Sequence, residues 1–105
     1  MVSLIFTEQA KKDLKGIHAF IAKDSHFNAT RFIGQLIDKS SILKSYPEIG
    51  HLVFPGKFKH LRQLLYKSYR IVYSFSVDKN SIFIITIHHQ SRLLTNISVV
   101  RNYTE

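Results

Sequence analysis

A chain of 105 residues with 45% hydrophobic and 12% aromatic content, four glycines and two prolines reads as one globular domain, not a disordered or low-complexity segment. Fifteen Lys and Arg against seven Asp and Glu leave a formal charge of +8, which favours polyanionic or acidic partners. The absence of cysteine excludes disulfides, thiolate metal sites and thiol nucleophiles.

The opening Met1-Val2-Ser3-Leu4-Ile5-Phe6 has neither a basic leader nor a long apolar core. No other run approaches the ~20 apolar residues of a membrane span. A cytoplasmic chain with no membrane role is therefore expected, and the N-x-S/T triplets at Asn28, Asn96 and Asn102 are chance matches.

Val2 to Phe6 forms a short strand candidate. Thr7 suits an N-cap, with Glu8 placing negative charge in the first turn. Ala10, Leu14, Ile17 and Ile21 recur at helical spacing, so a first helix is predicted from Glu8 to Ala22, with Gly16 a local weakness. Asp24-Ser25 ends it and starts another. Ala29, Phe32, Ile33, Leu36, Ile37 and Leu43 mark a second helix from Phe27 to Ser45, closed by Tyr46-Pro47 because the proline disfavours helix in the preceding residue.

Pro47 to Gly50 and Pro55-Gly56 are turns, and His51 to Lys59 reads as a loop carrying Lys57 and Lys59. From His60 the period changes to two. Leu61 to Leu65 is a strand, Tyr66-Lys67-Ser68 a turn, and Tyr69 to Val77 a strand in which Tyr69, Ile71, Tyr73, Phe75 and Val77 alternate with Arg70, Val72, Ser74 and Ser76. After Asp78 to Ser81, the run Ile82 to Ile87 is apolar on both faces, as in a central strand. The order strand, helix, helix, three-strand meander predicts an α+β domain spanning residues 1–105, an antiparallel sheet with both helices on one face. The helices should cover the Tyr69/Ile71/Tyr73/Phe75 face, leaving Arg70, Ser74 and His88 on the other for solvent or a target.

In a hairpin the start of one strand lies beside the end of the next, so Arg70, His88, His89 and Arg92 should meet in space. They form a cationic group suited to an anionic target. His88 and His89 are adjacent on a strand, point to opposite faces and cannot readily chelate one metal. One of the pair should pack at the sheet end against the second helix. The other is free to act as a phosphate ligand or general acid–base. The acidic residues Glu8, Asp13, Asp24, Asp38, Glu48, Asp78 and Glu105 read as caps and solvated charges, not as catalytic carboxylates. No phosphate-binding glycine loop, nucleophile motif, cofactor site or metal site is apparent. Arg70 and Arg92 also have plainer readings, as a solubilising charge with a packed stem and as an ion-pair partner of Asp38 or Glu48.

Five stretches in order, Thr7 to Leu14, the helix ending at Leu43 to Gly50, Leu61 to Leu64, Tyr69 to Tyr73 and Ile87 to Arg92, resemble the RelE/ParE superfamily of bacterial toxins. The resemblance implies that superfamily's small α+β fold and the toxin half of a type II toxin–antitoxin module. It implies an acidic antitoxin as partner, with operator DNA reached through that antitoxin. RelE-like members cleave mRNA on the ribosome without metal, whereas ParE-like members inhibit DNA gyrase. Under the first reading Arg70, Lys59 and His88 would be catalytic. Under either, Lys57, Lys59, Arg62, Arg70, His88, His89 and Arg92 would bind the target. The RelE-type arginine after the last strand falls closest to Gln90, and its C-terminal tyrosine falls near Asn96, with Tyr103 too late. The ending Ile87-His88-His89-Gln90-Ser91-Arg92 looks more like the ParE-type His-x-x-Arg, so gyrase inhibition is favoured over mRNA cleavage or a relative that only binds its antitoxin. Leu94, Ile97, Val99 and Val100 are apolar residues that the antitoxin or the chain's own helices would cover.

Overall fold

Two helices pack on a five-stranded sheet in the computed structural model, which describes residues 2–53 and 61–92. The Pro55-Gly56 turn, Lys57, Lys59, Asn96, Tyr103 and the apolar residues after Leu93 lie outside the described residues. The elements are β1 (Ser3–Phe6), α1 (Glu8–Ala22), α2 (His26–Ser41), a 3-10 turn (Ile42–Lys44), β2 (His51–Leu52), β3 (Leu61–Tyr66), β4 (Tyr69–Ser76) and β5 (Ser81–His89). The sheet order is β1-β5-β4-β3-β2. The meander and the two-helix layer are as expected, and the first strand joins β5 in parallel, which makes the sheet mixed.

Local chemistry sets the helix boundaries. The Thr7 hydroxyl accepts from the Ala10 N–H at 3.2 Å and donates to the Ile84 carbonyl at 2.7 Å, so one side chain caps α1 and ties it to the sheet. The Ser25 hydroxyl caps α2 by accepting from the Asn28 N–H. The second helix ends four residues earlier than predicted. The Ser40 and Ser41 hydroxyls donate back to the Leu36 and Ile37 carbonyls, a local bonding pattern that bends helices, and the chain tightens into the 3-10 turn. Leu43 in that turn remains fully buried, so the apolar stripe outlasts the α-helix.

Ala10, Ile17, Leu36, Leu43, Ile71, Tyr73, Ile82, Ile84 and Ile87 make the core between helices and sheet. Three expectations need correction. The segment from His51 is not all loop, because His51 and Leu52 pair with Gln63 and Arg62 as an edge strand. Val77 lies past the end of β4 in the turn and is exposed. The sheet face away from the helices is not left open along its length: Val72, Ile85, Thr86 and His88 are buried. Between β4 and β5 the register shifts. Tyr73 faces Ile84 but Val72 faces Thr86, so Ile85 is an extra residue with no partner across the ladder.

Candidate functional site

The end of the β4–β5 hairpin brings together most of the predicted group. Arg70 lies directly opposite His88, and Tyr69 opposite His89. Arg92 follows one turn later, its N–H bonded to the His89 carbonyl at 3.1 Å. An open groove of about 470 Å³ runs between α1 and the edge of β5 beyond its pairing with β1, bordered by Lys12 and Phe20 on the helix and by Tyr69, His88, His89 and Arg92 on the sheet.

The two histidines have opposite environments. His88 is only 3% exposed, and neither ring nitrogen has a hydrogen-bond partner among the described residues. Burial, then the charges of Arg70 and Arg92, lower its pKa to about 4, against a smaller opposing pull from Asp13, so the ring is neutral near pH 7. It does not stand on an open face as predicted. His89 is exposed on the helix-covered face, edge-on to Tyr69 at 5.5 Å, with Nδ1 2.9 Å from the Ser91 hydroxyl. Its neighbour Tyr69 in turn meets Phe32 of the second helix, ring to ring at 5.4 Å.

Arg70 is partly exposed. Its Nη2 donates to the Gln90 carbonyl at 2.7 Å, and its buried Nε has no partner among the described residues. Gln90 in turn holds the β3–β4 turn: its N–H donates to the Ser68 carbonyl at 2.8 Å and its side-chain amide to the Lys67 carbonyl at 2.9 Å. Arg92 is exposed. Glu48, which the sequence offered it as a partner, lies instead 4.0 Å from Arg62.

Arg62 does not join the group. Its guanidinium donates to the carbonyls of Glu48 and Gly50, at 3.2 and 2.8 Å, and clamps the turn before β2. Gly50 also donates its N–H to the buried Tyr73 hydroxyl at 2.9 Å. Burial is the main reason the Tyr73 pKa is raised, and the phenol stays a neutral strut.

Asp13 is not the solvated charge expected from the sequence. Its Oδ2 accepts from the Thr86 hydroxyl at 2.6 Å and from the Ile87 N–H at 3.0 Å, capping the β5 edge where β1 has ended. The sequence carried a signal for this, since Asp13 falls at helical spacing between the buried Ala10 and Ile17. Nothing comparable marked Gln90 or Lys12. Among the described residues no three His, Asp or Glu side chains converge where a metal could be held. No helix of the described residues is long and apolar enough to cross a membrane.

With this geometry in view, residues 4–94 match the family model described as the ParE toxin of the type II toxin–antitoxin system parDE. The chromosomal ParDE system of P. aeruginosa contains a chain of the same fold, with TM-score 0.70 and 18% identity over 85% of this chain and 96% of that one. The intact E. coli RelBE toxin–antitoxin complex gives 0.64 and 23% over 88% and 100%. The RelBE2 complex of Mycobacterium tuberculosis gives 0.66 and 15% over 85% and 98%. A search of curated proteins by sequence finds no significant match.

Proposed function

We propose, for a chain that belongs to the ParE toxin family of type II toxin–antitoxin systems, that the cellular target is DNA gyrase and that the β4–β5 end with Arg92 engages it. The chain is the toxin of such a module and its partner is an antitoxin. The target divides the superfamily, and one observation favours gyrase over mRNA.

Metal-free cleavage of RNA needs a cation and an acid–base group reaching the same phosphate. The histidine beside Arg70 is His88, which is buried and titrates near pH 4. His89 is accessible but sits on the opposite face from Arg70. Arg70 itself is bonded to the Gln90 carbonyl. What this end offers to solvent is an exposed cation at Arg92 beside a groove, which suits holding a macromolecule more than breaking a bond.

The test is a pair of assays on the purified protein. Gyrase supercoiling of relaxed plasmid should be inhibited, and Arg92→Ala should relieve the inhibition. Ribosomes programmed with mRNA should show no cuts. Codon-specific A-site cuts that disappear in Arg70→Ala would overturn the proposal in favour of an mRNA endoribonuclease.

A further inference from the structure

A second cleft, of about 260 Å³, opens between the helices and the β3–β4 turn, lined by Ile21, Asn28, Arg31, Phe32, Gln35 and Lys67. None of these residues borders the α1–β5 groove. The lining contains no carboxylate, and among the described residues neither Arg31 nor Lys67 makes an ion pair.

Lys67 is held there against its own backbone preference. Its φ is 53°, in the left-handed region that favours Gly or Asn, and the bonds from Gln90 fix the turn in that shape. The ammonium stands 5.9 Å from the Phe32 ring and 5.6 Å from the Tyr66 ring, which orient the charge without neutralising it. The Gln35 oxygen accepts from the Tyr66 hydroxyl, leaving the amide nitrogen to donate. The two-residue turn between the paired Tyr66 and Tyr69 calls for this positive φ, and the hairpin thereby presents the ammonium to the cleft.

We propose that this cleft is an anchoring pocket for one acidic side chain, Asp or Glu, of the cognate antitoxin. The proposal rests on the reading of this chain as a toxin held by an antitoxin. Two unpaired cations and an amide donor suit a carboxylate, while the apolar walls of Ile21 and Phe32 suit the methylene stem that carries it. An acidic protein segment also complements the +8 charge of the chain.

The experiment uses the full toxin and the antitoxin encoded beside it. The double variant Arg31→Gln/Lys67→Asn removes both charges, and Asn accepts the left-handed backbone, so the turn is retained. Its Kd for the antitoxin should rise at least about tenfold, with a flatter salt dependence. Its melting temperature and its growth arrest in the absence of antitoxin should not change. Arg31→Gln alone, on an exposed helix position, should show part of the loss independently of the turn.

An unchanged Kd and salt slope in the double variant would overturn the proposal. So would loss of binding to a short oligonucleotide with antitoxin affinity intact, which would make the pocket a phosphate site. A wild-type protein that neither arrests growth nor binds the neighbouring gene product would instead remove the underlying toxin reading, and the proposal with it.

Discussion

Acidification from pH 7 to pH 5 should destabilise this protein through one buried side chain, His88. Its pKa is lowered from 6.5 to about 4 in the folded chain, so over this interval the unfolded chain binds a proton that the folded chain refuses. Stability contributed by the neutral ring is therefore complete above pH 6.5 and is lost as pH falls toward 4. Linkage between those two pKa values gives a loss of about 2 kcal/mol by pH 5, an upper value because water in the adjoining groove screens part of the charge. Urea unfolding of the wild type and of His88→Leu at both pH values isolates this contribution from the other histidines. At pH 7 the variant should match or exceed the wild type, since both ring nitrogens are buried without partners among the described residues. At pH 5 it should be the more stable of the two. An equal loss in both proteins, or an imidazole signal assigned to His88 that titrates near 6.5, would refute the reasoning and restore His88 as an acid–base candidate at neutral pH.

Gly50→Ala should lower unfolding free energy by about 2–4 kcal/mol, from overpacking and loss of the Tyr73 contact. The added Cβ would stand 2.7 Å from the Gln63 carbonyl oxygen and from Cε1 and the hydroxyl of Tyr73, and urea midpoints would report the change. Removing the edge cap with Asp13→Ala should cost about 1.5–3 kcal/mol and speed hydrogen exchange at the Ile87 amide. Arg92→Ala should leave stability within ~0.5 kcal/mol of wild type, because the residue is exposed, while weakening gyrase inhibition about tenfold. Full inhibition by that variant would move the contact away from the end of β5.

Periodicity carried much of the architecture. The Ala10/Leu14/Ile17/Ile21 stripe and the Thr7 cap predicted α1 at its observed ends, because both depend on residues close in sequence. The alternation from Tyr69 to Phe75 assigned the core face of β4, and hairpin geometry alone placed Arg70 beside His88. The short strand β2 was hidden because its place is set by Gly50, Tyr73 and Arg62, not by a pattern of its own. The burial of His88 was hidden for a different reason. Alternation says which side a residue takes, not how deeply that side is covered. The unbroken apolar run from Ile82 to Ile87 also conceals where a register shift falls. Asp13 was legible in principle, as an acid within an apolar stripe, and its bonding explains why the stripe tolerates it.

The unpaired residue at Ile85 gives the end of β5 its own reading frame. Counting by twos from Ile82 and Ile84 would send Thr86 and His88 toward the helices, yet it is Ile87 that enters the core and His88 that turns to Arg70. Frame offsets of this kind predict which changes in chain length are tolerated. Removing Ile85 would restore plain alternation and leave every pairing from Thr86 onward as it stands. Removing a residue between Thr86 and His88 would advance the frame, replace the Arg70–His88 pair and take the Ile87 amide away from Asp13. Related chains that keep this site should therefore vary in length around Ile85 and not in the few residues beyond it.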